Sequence, residues 1–146
     1  DAAAVLLADI CWRYIAASPL LRAWETAQRA TRMQNITAVD GLRERDWGLL
    51  EGAPWSEVPP YTETPPEGES WNAVSARVAE FVQETTLRFS GRDIIAVAHI
   101  GVILTQLGRA HAVPAEKALG QKIDHLSVTQ IRLGETIETG PINHIP

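Results

Sequence analysis

The run Ile94-Ile95-Ala96-Val97-Ala98 constrains the fold more than any other stretch of the chain. It is continuously apolar, follows Gly91-Arg92-Asp93 and ends abruptly at His99. That length and composition predict a central strand buried on both faces, rather than a half-exposed one with alternating polarity. Such a strand needs a layer of cover on each side, which helices between parallel strands provide. A second short run, Tyr14 to Ala17, behaves the same way and stops at Ser18-Pro19.

The remaining pattern supplies the cover. Ser18 can cap a helix from Leu20 to about Ala30, with Pro19 suited to its first turn. A short extended segment around Ile36 to Val39 leads into a loop from Gly41 to Gly52. Pro54, Pro59, Pro60, Pro65 and Pro66 make the stretch to Gly68 irregular and place it over the surface. Ser70 then caps a long amphipathic helix with Val74, Val78, Phe81 and Val82 on one stripe. Further helices are predicted from Gly101 to about His111 and from Pro114, with a strand from Ser127 to Leu133. Ala2 to Ala8 also reads as helix. The expectation is a single α/β domain over residues 1–146, in three layers, with a mostly parallel central sheet and helices on both faces. Ligands bind such sheets at the carboxyl ends of the strands. Two strands here end at chemically loaded residues, Ser18 to Arg22 and His99.

Charge narrows the ligands. The formal net charge is −5, with no Lys/Arg block, which argues against nucleic acid and anionic membrane surfaces. No apolar run has the length of a bilayer-spanning segment, and no secretory leader is apparent. Cys11 is the only cysteine, which fits a reducing, cytoplasmic setting and a buried apolar role. Metal-ligand spacing is absent, so no metal and no cofactor is expected. Attraction for an anionic ligand must therefore come from a few inward-pointing donors.

Three constellations offer such donors, each with a bland alternative. His99 follows a buried strand and precedes a helix, beside free N–H groups and the positive end of a helix dipole. A strand-end histidine bonded to backbone explains it equally well. Arg22 falls in the first turn of its helix, where the dipole disfavours a cation unless an anion compensates. A guanidinium holds phosphate bidentately, but a surface ion pair with Glu25 would also account for it. In Leu42-Arg43-Glu44-Arg45-Asp46-Trp47-Gly48, a carboxyl next to a phosphate keeps its proton more tightly because like charges repel. A general acid needs that property. The alternative is a solvated charged turn.

Taken in order, Ser-Pro-Leu-x-Arg-Ala-x-x-Thr-Ala, Leu-x-Glu-x-Asp-Trp-Gly-x-x-Glu-Gly, Gly-Glu-Ser before a long helix and His-x-Gly-Val-Ile resemble the histidine phosphatase (phosphoglycerate-mutase-like) superfamily. The resemblance spans roughly Tyr14 to Leu133, and Ile123-Asp124-His125-Leu126-Ser127 is similar to the family's late Asn-x-Ser segment. It implies a two-step, metal-independent hydrolysis of a small phosphorylated metabolite through a phosphohistidine. Arg22, with Ser18 and the Ile100 position, would bind the phosphoryl group. His99 would donate to it, and Glu44 would protonate the leaving oxygen and then activate water.

The sequence departs from the family pattern in four places. The Arg-His-Gly strand that carries the nucleophile is absent, so the sheet is expected to lack its first strand. Ile100 replaces a glycine, Leu104 stands where some members carry arginine, and His125 replaces the asparagine. Trp55, in the Pro-rich segment, is the candidate for contact with the substrate's organic part. The short Gly52–Gly68 segment favours a phosphatase, nearest the α-ribazole-phosphatase-like and broad-specificity members, over a cofactor-dependent phosphoglycerate mutase. A non-catalytic phospholigand-binding scaffold of the same fold is the alternative from another class. A homodimer is compatible with either.

Overall fold

The computed structural model describes residues 7, 10, 12–32, 35–60, 62–113, 115–118, 120–133 and 137–144. Apart from Leu7, which is helical and buried, the helix expected over Ala2–Ala8 lies outside the described residues, as does Cys11. Strands β1 (Tyr14–Ala17), β2 (Ile36–Ala38) and β3 (Ile94–Val97) form a parallel sheet in the order β2-β1-β3. Helix α1 (Leu21–Ala30) follows β1, α2 (Trp71–Arg88) precedes β3, and α3 (Ile100–Ala110) follows it. A short α4 (Ala115–Ala118) leads to an antiparallel hairpin of β4 (Ile131–Leu133) and β5 (Ile137–Thr139). The three-layer α/β architecture expected from the sequence is thus present, with helices flanking a mostly parallel sheet.

The two faces of the sheet are covered by different chemistry. Ala16 packs with Leu42, Val74, Val78, Phe81 and Val102, joining β1 to α2 and α3. Each large side chain buried there stabilises by about 1.5–3 kcal/mol relative to exposure. Because side chains alternate along a strand, Ile15 and Ala17 face the other way. Helix α1 crosses all three strands and buries Ala23, Ala27 and Ala30, small residues that let its backbone lie close to its neighbours.

Local expectations hold for α2 but not everywhere. Ser70 accepts a hydrogen bond from the N–H of Ala73 at 3.1 Å, the expected N-cap. At α1 the N-cap is Leu20, without a side-chain cap bond, so Ser18 does not cap that helix. Its side chain has another partner, described below. Strand β3 is expected to be central, but among the described strands it lies at the sheet edge, and its residues are half-buried to exposed. Ser127–Leu133 shortens to Ile131–Leu133, and β5 was not foreseen, since three residues carry too little periodicity to register as a strand. Among the described residues, no helix is long and apolar enough to cross a membrane.

Candidate active site

Parallel register sets the site. Ala17 stands opposite Val97 and Ala38, so β1, β2 and β3 all finish at one edge of the sheet. The N–H of Ser18 donates to the carbonyl of Val97 at 2.9 Å, and the N–H of Val39 donates to Ala17 at 2.9 Å. Residues 18–22, 39–44 and 98–101 therefore meet at that edge. The sequence-predicted Ser18, Arg22, Glu44, His99 and Ile100 all lie there.

His99 is the N-cap residue of α3, but its ring does not cap the helix. It is 8% exposed, and its Nε2 lies 2.8 Å from the hydroxyl of Ser18, which is wholly buried. Ser18 Oγ already accepts the N–H of Leu20 at 3.3 Å. A hydroxyl oxygen can accept a second bond as well as donate one, so the direction of the Ser18–His99 bond follows the ring tautomer. The His99 pKa is lowered to about 4, mainly because burial penalises the charged ring, and then by the charges of Arg22 and Arg77. The imidazole is therefore neutral at physiological pH.

Arg22 lies in the first turn of α1, where no acidic residue balances it. The ion pair with Glu25 that would explain it away does not form. Glu25 instead pairs with Arg29 at 3.5 Å. Among the described residues the exposed Arg22 guanidinium has no ion-pair or hydrogen-bond partner, while its charge reaches His99. A cation at a helix N-terminus without an anion is an arrangement that a bound anion would relieve.

Glu44 is held in detail. Its Oε1 accepts the N–H of Arg45 at 2.9 Å, and its Oε2 accepts the N–H of Gly101 at 3.3 Å. The carboxylate thus caps α3 from outside the helix, two residues beyond His99. A Cβ at Gly101 would meet Glu44 Oε1, so a larger residue there would push the Glu44 carboxylate aside. Ile100 opens α3 and is 40% exposed, and because its side chain is apolar only its backbone could hydrogen-bond a phosphate. Trp55 begins a 3-10 turn, Trp55–Glu57, and its side chain lies outside the described residues.

The loop around Glu44 is not the solvated turn that its composition allows. Arg45 is only 2% exposed, donates to the carbonyls of Glu69 and Glu63, and stacks over Trp47 at 4.8 Å. Gly48, at φ 55°, passes so close to the backbone of Pro66 to Gly68 that no side chain fits. Sequence reading also missed Arg77. Its Nε and an Nη donate to both carboxylate oxygens of Glu69, at 2.7 and 2.8 Å. Its remaining donors reach the carbonyls of Gly41 and Arg43 at 2.8 Å and of Glu44 at 3.3 Å. The same guanidinium holds the Glu69 carboxyl below the ordinary carboxylate range. The only sequence signal for this network is the spacing of Glu69 and Arg77 about one helix N-terminus, which by itself does not reveal the carbonyls. Among the described residues, no group of three or more His, Cys, Asp or Glu side chains could hold a metal ion.

Known proteins share this fold. YhfR from Bacillus stearothermophilus superposes with a TM-score of 0.88 at 24% identity, covering 99% of this chain and 80% of that one. The alpha-ribazole phosphatase from Shigella flexneri gives 0.80 at 22% identity, covering 99% and 80%. Below 25% identity these establish the fold. The bifunctional protein Rv2228c of Mycobacterium tuberculosis is 30% identical over 100 residues, which are 59% of this chain but only 28% of that protein. The chain therefore matches little more than a quarter of the length of such relatives. Residues 1–138 match the family model described as "Histidine phosphatase superfamily (branch 1)". The geometry at the sheet edge and this match, which covers nearly the whole sequence, lead to one assignment: the chain belongs to the histidine phosphatase superfamily.

Proposed function

We propose that this chain is the core of a metal-independent phosphomonoesterase that hydrolyses a small phosphorylated metabolite through a phosphohistidine. The observation that supports this reading is the meeting, at one sheet edge, of an Arg22 without an ion-pair or hydrogen-bond partner among the described residues, a neutral His99 and a Glu44 anchored on Gly101. Arg22 receives the phosphoryl oxygens. At 4 Å a single cation–anion pair is worth about 4 kcal/mol at an effective dielectric of 20. His99 donates to the same group, with Ser18 holding the ring. Backbone N–H groups at the start of α3 favour the anion.

In the first step a histidine nitrogen forms a bond to phosphorus as the ester P–O bond breaks, and Glu44 gives its proton to the leaving oxygen. In the second, Glu44 takes a proton from water, the resulting oxygen attacks phosphorus and the N–P bond breaks. Inorganic phosphate leaves, and both side chains return to their starting states. The attacking histidine belongs on a strand beside β3, whose outer edge is open among the described strands. The short Gly52–Gly68 segment, with Trp55 as the contact for the organic part, suits small substrates of the kind handled by the α-ribazole-phosphatase-like and broad-specificity members.

The test uses the full-length protein with p-nitrophenyl phosphate in EDTA. Turnover should survive the chelator, and His99→Ala should lower kcat roughly 100–1000-fold, the cost of losing one preorganised donor. Undiminished turnover in that variant would refute the site. A phospholigand-binding scaffold of the same fold is the second reading, since Arg22 and His99 suit phosphate binding whether or not turnover follows. That reading predicts phosphate binding without turnover.

A further inference from the structure

We infer that Arg77, on α2, is the positioning residue for Glu44. The inference rests on the general-acid role proposed above. Residues 43–47 belong to no helix or strand, so no backbone ladder fixes them. Arg77 takes the place of a ladder. It grips the carbonyls of Gly41, Arg43 and Glu44 from a helix more than thirty residues further along the chain.

The last of these bonds matters most. The carbonyl of Glu44 and the N–H of Arg45 are the two ends of one peptide unit. Arg77 holds the carbonyl end, and the N–H end donates to Glu44 Oε1. The orientation of that peptide plane therefore fixes where the carboxylate sits against Gly101. Glu69 keeps the guanidinium in place through its two-point pair, with both side chains largely buried. Lysine could keep the charge, but it has no planar fork with which to hold a carboxylate and several carbonyls together.

The experiment measures kcat/KM over aryl and alkyl phosphates of increasing leaving-group pKa, with the full-length protein and rates scaled to the folded fraction. Glu44→Gln should slow poor leaving groups most, because those need protonation. Arg77→Lys should reproduce that selective loss, roughly 10–100-fold for alkyl esters and far less for p-nitrophenyl phosphate. In a Glu44→Gln background it should add no further selectivity. A second readout is independent of turnover: the Gly101 amide resonance should move in Arg77→Lys toward its position in Glu44→Gln. Uniform slowing across the series in Arg77→Lys, or an unmoved Gly101 resonance, overturns the inference while leaving Glu44 as the acid. Uniform slowing in Glu44→Gln overturns the acid role itself, and the positioning role with it.

Discussion

Near His99, Arg77 gives its guanidinium to Glu69 and to the carbonyls of Gly41, Arg43 and Glu44. Arg22, by contrast, stands exposed at the start of α1 with no ion-pair partner among the described residues. Both charges lower the affinity of His99 for a proton, yet one is fully engaged by the protein and the other is not. The contrast fits a division of labour. A group that delivers a proton must be placed before the substrate arrives, because misplacement is costly in rate. A group that receives a phosphate can be left unpaired, because the ligand supplies its counter-charge. A protein acid bound to Arg22 would have to be displaced first.

The largest effect expected from this contrast is on stability against pH. Folded His99 stays neutral down to about pH 4, whereas the unfolded ring takes a proton near 6.5. Between those values the unfolded chain binds more protons, so stability present above pH 6.5 is lost as pH falls toward 4. The loss is at most about 3 kcal/mol. Urea unfolding of wild type and His99→Asn at several pH values isolates it, and an equal slope in both proteins would mean that His99 is not buried neutral.

The next effect concerns the open side. Arg22→Gln should weaken inorganic phosphate binding roughly 10–100-fold, the range for a hydrogen bond to a charged group. It should leave the melting temperature unchanged, since among the described residues its side chain makes no ion pair or hydrogen bond that would be lost. By NMR titration the same variant should raise the His99 pKa while keeping it below 6.5, because burial is the larger cause. A fall in melting temperature without weaker binding would show that Arg22 is structural and would erase the contrast.

The smallest effect is on the built side. Ser70 caps the helix that carries Arg77, and Ser70→Ala should cost about 1 kcal/mol in chemical denaturation. Phosphate affinity should not change if the two sides act separately. Weaker phosphate binding in Ser70→Ala would show that they are coupled.

Strands β1, β2 and β3, with α2 and its cap, were legible because their signals are local. An apolar run of four or five residues, a serine before a 3.6-residue apolar stripe and a proline-rich gap each declare themselves within a dozen residues. Arg22, Glu44 and His99 were legible as a set only through the order of their motifs, since each has an ordinary explanation alone. The exposure of β3 was not legible. An apolar run reports that a strand suits burial, while its actual burial depends on which strands pair with it.

Sequence alone determined which side chains are candidates for the proposed chemistry and which strand ends lie near them, because residue type and local period are written in neighbouring positions. Tertiary structure decided how those side chains are held. It turned Ser18 from a helix cap into the partner of His99, set Glu44 on the N–H of Gly101 and brought Arg77 to the loop at Glu44. Each of these contacts spans more than thirty residues of chain. A donor so distant has no signature in the local pattern. It acquires a partner only when packing of α2 and α3 on the sheet brings the two within hydrogen-bonding distance.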